Sequence, residues 1–188
     1  MDAFIDESMR ADGKGVVVLA AVCVDAGAAG DARGAMQELL LGRQARIHFH
    51  DEGHVRRMAI VETVAGLHLP AIVAAAVSPA EPRAFERARR KCIERLAYEV
   101  PQRGVTALLL ESRQENLNKS DRTLLAAYHR SGLLAKSVMY GFRRPKDEPV
   151  LWVADAVAGA VSSALANVDE RYYAVIESQV DVIHVDTT

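Results

Sequence analysis

The sequence predicts an α/β domain built on a mixed β-sheet, opened by an antiparallel hairpin and covered by helices on both faces. Three observations predict it. Two segments of strand character, Ala3–Ser8 and Val16–Val24, open the chain on either side of a turn from Met9 to Gly15 that carries Asp12-Gly13, the pattern of a hairpin. Segments with helical spacing then alternate with short apolar runs, the order that lays helices on a sheet. A long helix rich in alanine and valine, Val150–Val168, closes the series.

The elements follow in order. Val16–Val24 is apolar throughout, as expected of a strand covered on both faces. Asp31 is placed to cap a helix running to about Leu41. After a basic stretch from Arg43 to Arg46 and the run Ile47-His48-Phe49-His50, the segment Glu52–Leu67 sets Ile60, Val64 and Leu67 on one helical face. Ala71–Val77 reads as a strand, Phe85–Val100 as a charged helix and Val105–Ser112 as a strand. Ser120–Arg130 reads as a helix capped by Ser120, and Lys136–Phe142 as a further strand. The tail Tyr172–Val185 is expected to add one more.

The 188 residues suit one domain, taken here as residues 1–188, and 50% apolar with 26% charged residues is ordinary for a water-soluble core. The longest apolar runs fall well short of the ~20 residues that cross a bilayer, so no membrane partner is expected. The acidic start Met1–Glu7 lacks the basic and apolar regions of a signal peptide. Cys23 and Cys92 lie in apolar or helical patterns, so two buried thiols in a reducing cytoplasm are expected rather than a disulfide. A formal net charge of −2 does not advertise a nucleic-acid binder; such a partner needs local basic patches and metal ions.

Three acids stand out by position. Asp6 lies in the first strand, Glu111 ends the run Leu108-Leu109-Leu110, and Asp155 interrupts an apolar helix with small or apolar neighbours three and four residues away. A carboxylate embedded in apolar sequence is costly to bury without compensation. A hard divalent cation, Mg²⁺ or Mn²⁺, supplies it and keeps waters for a phosphate. Bland readings stand beside this one: a turn for Asp6, and a salt bridge with Arg113 for Glu111.

Ala3-Phe4-Ile5-Asp6-Glu7-Ser8, followed by a glycine-bearing turn and an apolar strand, resembles the opening of domain-of-unknown-function family 3800, whose members have ribonuclease H-like folds. Ile47-His48-Phe49, the strand ending in Glu111 and the stretch Val153–Ala160 resemble later motifs of that family in the right order. Met9 departs from it, standing where such openings commonly have glycine. The resemblance implies a ribonuclease H-like domain with a two-metal carboxylate site that cleaves phosphodiester bonds of DNA or RNA. Asp6 would bridge two ions, Glu111 would ligate one from a neighbouring strand, and Asp155 would approach from the closing helix. Glu7 points away from Asp6 by strand alternation and is the weaker ligand. Asp121 reads as a charge at a helix N-terminus.

His48, His50 and His54 with Asp51 and Glu52 invite a zinc reading, but their spacing is not that of a zincin. A polar loop with Asp51 capping the next helix is the simpler account. His48 keeps interest as a catalytic proton shuttle near a metal-bound phosphate. Arg46, Arg56 and Arg57 are candidate substrate-binding residues that could grip a phosphate backbone, or ordinary solvated surface. Arg143, Arg144 and Lys146 form a further basic spot. The mixed charges of Phe85–Val100 read as a solvated face. No Gly-x-Ser-x-Gly elbow, P-loop or Gly-x-Gly-x-x-Gly fingerprint is present. Aromatic residues make up 5% of the chain, so backbone contacts rather than base stacking would hold nucleic acid. The alternative function is a non-catalytic ribonuclease H-like module that binds nucleic acid or protein. The small residues Ala156, Ala158, Gly159, Ala160, Ser162 and Ser163 suit either a homo-oligomer contact or core packing.

Overall fold

In a computed structural model, which describes residues 1–11 and 15–187, the elements run β1 (Asp2–Arg10), β2 (Gly15–Val24), α1 (Ala29–Glu38), α2 (His54–Gly66), β3 (Ala71–Ser78), α3 (Pro82–Glu99), β4 (Ala107–Glu111), α4 (Glu115–Ser131), β5 (Met139–Arg143), α5 (Val150–Leu165), α6 (Arg171–Ile176) and β6 (Val180–His184). The six strands form one sheet in the order β5-β4-β1-β2-β3-β6. β2 pairs antiparallel with β1 and β3; the remaining pairings are parallel. This is the mixed sheet with a leading antiparallel pair that the sequence predicts. The expected Asp12-Gly13 turn lies outside the described residues.

Alternation along the strands divides the core in two. Phe4, Val18, Ala20 and Val73 face one side with α1, α2, α5 and α6. Ile5, Val17, Leu19 and Ile72 face the other with α3 and α4. β2 is buried along its whole length. So is α5 from Val150 to Ser163, because it lies across β1 and β2 beneath α1, α2 and α6. A helix apolar on all sides belongs inside. Its small residues are therefore core, and the self-association read from them has no exposed face there. Gly159 is needed for close approach: a Cβ at this position would collide with the ring of Phe49.

Several expected boundaries move. β1 runs to Arg10 rather than ending at Ser8. The N-cap of α1 is Ala28, and Asp31 lies inside the first turn. Asp51 belongs to a 3-10 turn, and Gly53 occupies the N-cap of α2. α4 starts at Glu115, so Ser120 is interior. α5 stops at Leu165, and the tail folds as α6 before β6 pairs with β3. Cys23 and Cys92 are free and buried. Among the described residues no helix is long and apolar enough to cross a membrane.

Candidate active site

β1 and β4 pair from Asp2↔Ala107 to Ile5↔Leu110. β4 then ends at Glu111, while β1 continues to Arg10 with β2 as its partner. The parting leaves a notch at the carboxyl end of β4, the end of a strand where open α/β sheets receive ligands. A cavity of about 200 Å³ fills it. Asp6, Glu111, Asp155 and His48 all line this cavity, with Glu7, Arg89 and Arg113 on its other wall. Residues from β1, β4, α5 and the turn before α2 thus meet at one place.

Asp6 and Asp155 are both buried. Burial pushes the Asp6 carboxyl well above the usual carboxylate range, helped by a hydrogen bond with Glu111 and by the charges of Asp155 and Glu111. The Glu7 N–H, donated to Asp6 Oδ1 at 2.7 Å, pulls the other way. Asp155 is pushed up to about 6, again by burial first, although the Phe49 N–H and the nearby His48 and Arg46 favour its charged form. Phe49 N–H donates to Asp155 Oδ2 at 2.7 Å, and the Phe49 ring resting on Gly159 holds that donor in place.

Three crowded carboxylates, two of them reluctant to ionise together, suit a hard divalent cation in donor type and in charge. As placed, no group of three or more His, Cys, Asp or Glu side chains among the described residues stands ready to hold a metal ion. By donor type, Asp6, Glu111 and Asp155 suit such an ion.

The basic residues separate. Arg46 Nη1 reaches Glu111 Oε1 at 3.4 Å. Arg57 donates to the carbonyls of Phe49 and His50 and lines a neighbouring cavity of about 180 Å³ that shares Glu7, His48 and Asp155 with the first. Arg56 lines neither; it is held by Glu52 and the Leu39 carbonyl. His48 Nδ1 lies 3.1 Å from Asp51 Oδ2, but off the hydrogen-bond direction, so this buried nitrogen has no hydrogen bond. The His48 and His50 rings are 6.5 Å apart, and His54 Nδ1 pairs with the Tyr172 hydroxyl at 2.8 Å. Three imidazoles do not converge. Arg144 pairs with Asp147 at 2.6 Å, and Arg143 stands opposite Glu111 in the β4–β5 register.

On the α3 wall several expectations are corrected. Arg89 does not belong to a solvated face: it is 2% exposed, the largest fully buried side chain. Asp121 is not a helix-terminal charge; it is buried within α4 and takes two hydrogen bonds from Arg89. Arg113 contacts Asp121, Glu86 and Glu7 rather than Glu111. Glu7 does point away from Asp6 along the strand, yet it lines the same cavity because the sheet parts there and the notch reaches both faces. Position could have exposed Arg89 and Asp121. Arg89 falls three and four residues before the buried Cys92 and Ile93, and Asp121 four before the buried Leu125.

Among solved structures, the chain is similar to a chain of the complex of PCNA with ribonuclease HII from Archaeoglobus fulgidus. The match is to the ribonuclease HII fold, with a TM-score of 0.58 and 15% identity over 89% of this chain and 74% of the other. At that identity the likeness concerns architecture: the fold is ribonuclease H-like. No protein-family model matches the chain, and no curated protein resembles it in sequence.

Proposed function

We propose that the chain is a metal-dependent nuclease that cleaves phosphodiester bonds of DNA or RNA, with Asp6, Glu111 and Asp155 holding Mg²⁺ or Mn²⁺. The observation that carries this reading is the meeting of three acids from β1, β4 and α5 at one notch of a ribonuclease H-like sheet. When bound, divalent cations in such a site activate a water and stabilise the leaving oxygen of an in-line displacement. The chain's own residues do the rest. The Phe49 N–H orients Asp155, and the Glu7 N–H orients Asp6. His48, on the same wall, moves a proton at the reacting phosphate. Arg46 and Arg57 steer the polyanion towards the notch. On this reading the chain is also a relative of family 3800, and its two free thiols suit a cytoplasmic setting.

A second reading is a non-catalytic module for nucleic acid or protein, in which Arg46 and Arg57 beside the notch serve binding alone. Thermal unfolding with Mn²⁺ or Mg²⁺, together with cleavage of a panel of DNA, RNA and hybrid substrates, separates the two. The nuclease reading expects both ions to raise the melting temperature by mass action. It expects Asp6→Asn and Asp155→Asn to remove the shift and to cut cleavage by more than the ~10–100-fold typical of outer-shell partners. A chain that neither responds to metal nor cleaves any substrate overturns the nuclease reading and favours the module.

A further inference from the structure

Arg143, Arg144 and Lys146 line neither cavity of the notch, and their charge continues along one edge of the molecule. From Glu115 to Asp147, through α4 and β5, the chain carries seven Lys and Arg against three Asp and Glu. That stretch is net +4 in a protein of net −2, so the rest is net −6. Its three acids are already matched: Asp121 is buried against Arg89, Glu115 pairs with Arg122 at 3.0 Å, and Asp147 pairs with Arg144 at 2.6 Å. Lys119, Arg130, Lys136, Arg143 and Lys146 are exposed and have no acidic partner among the described residues.

These charges border an open strand. β5 ends the sheet, and no strand of the described residues pairs with its far side. The Met139 N–H donates to the Thr106 carbonyl, and the Arg143 carbonyl accepts the Ser112 N–H. By the alternation of a ladder, the N–H and C=O groups of Tyr140 and Phe142 therefore face outward. Of these, only the Phe142 carbonyl is engaged, by the Arg143 guanidinium at 3.1 Å. Met139 is 69% exposed on the face turned away from α4. Free edges are usually blunted by proline, a bulge or a charge, and Met139–Phe142 has none of these.

We infer that β5 is a docking edge for an acidic, extended segment of a protein partner, which adds to the sheet as a seventh strand. The outward groups of Tyr140 and Phe142 supply main-chain recognition, Met139 an apolar contact, and the unmatched cations charge complementarity. A nucleic-acid strand is served less well. Its bases need aromatic faces to stack on, whereas Arg122 lies over the Phe142 ring at 5.1 Å and His129 leans against Tyr140 at 5.2 Å. The edge works independently of whatever chemistry the notch performs.

Fluorescence polarisation of the full chain with a labelled Glu-Val-Glu-Val-Glu-Val-Glu peptide, together with amide NMR, tests it. The peptide is expected to bind and to slow hydrogen exchange at the Tyr140 and Phe142 amides about 10-fold, while a Lys-Val repeat does not bind. Methylating alternate backbone nitrogens of the peptide keeps its charge but removes ladder donors. That change is expected to weaken binding about 10-fold, as losing one or two hydrogen bonds does. Lys136→Glu combined with Lys146→Glu, both at exposed positions, should weaken it by about as much. The docking role is wrong if the acidic peptide does not bind, if the methylated peptide binds equally well, if the charge reversals leave its Kd unchanged, or if exchange at the two amides does not slow. It is also wrong if oligo(dT) protects the same amides and displaces the peptide, which makes the edge a nucleic-acid surface. Sedimentation showing a dimer in which those amides are already protected would make the occupant a second copy instead.

Discussion

On the α5 side of the notch, Asp6, Glu111 and Asp155 crowd together with Arg46 and His48 beside them, and two of the three acids resist ionisation. On the α3 side, Glu7 and Asp121 are matched by Arg89 and Arg113 in a connected set of ion pairs. The two walls bury acids to similar depth, so burial alone does not separate a candidate ligand from a structural acid. Mismatch does. A paired acid has already spent its attraction on a neighbour, while an under-compensated one keeps it for a ligand.

Substitutions that remove charge from each wall should act in opposite directions. Arg89→Leu leaves Glu7 and Asp121 without their main cation and is expected to cost about 3–5 kcal/mol, as breaking a buried pair does; denaturant unfolding reads the loss directly. A cost below about 1 kcal/mol would mean the cluster is not what holds α3 and α4 to β1. On the opposite wall, Asp155→Asn in metal-free buffer at pH 7 should hold or raise stability, by up to about 3 kcal/mol, because it removes a charge that the fold disfavours. A marked destabilisation there would erase the contrast between the walls. The smallest expected effect sharpens the comparison from behind the site. Gly159→Ala forces Phe49 off α5 and should cost about 1–3 kcal/mol as overpacking, lowering the melting temperature. It should also weaken Mn²⁺ binding, because the Phe49 N–H no longer steadies Asp155.

The contrast also explains what could be read in advance. The sheet was legible because β2 and β3 are continuous apolar runs, and the acids because Asp6 and Glu111 fall in strands and Asp155 in an apolar helix. Arg89 and Asp121 were hidden by their company. α3 carries Arg87, Arg90, Lys91 and Glu94 around Arg89, so a charged residue on the buried stripe reads as one more surface charge unless each position is tested against the helical period. The Phe49 donor was not legible at all: a backbone N–H has no side-chain signature, and its acceptor lies 106 residues away. Glu7 lies on the face of β1 that strand alternation predicts, but alternation takes no account of where the neighbouring strand stops.

That stopping place has a consequence for how such sites arise. β4 contributes only Ala107–Glu111, against the nine residues of β1. Extending β4 by two residues in the same register would zip its backbone onto Glu7 and Ser8 and seal the gap with ladder hydrogen bonds, leaving every acid in the chain unchanged. In this architecture an insertion that alters no acidic side chain would close the notch, and a deletion would create the opening where none existed.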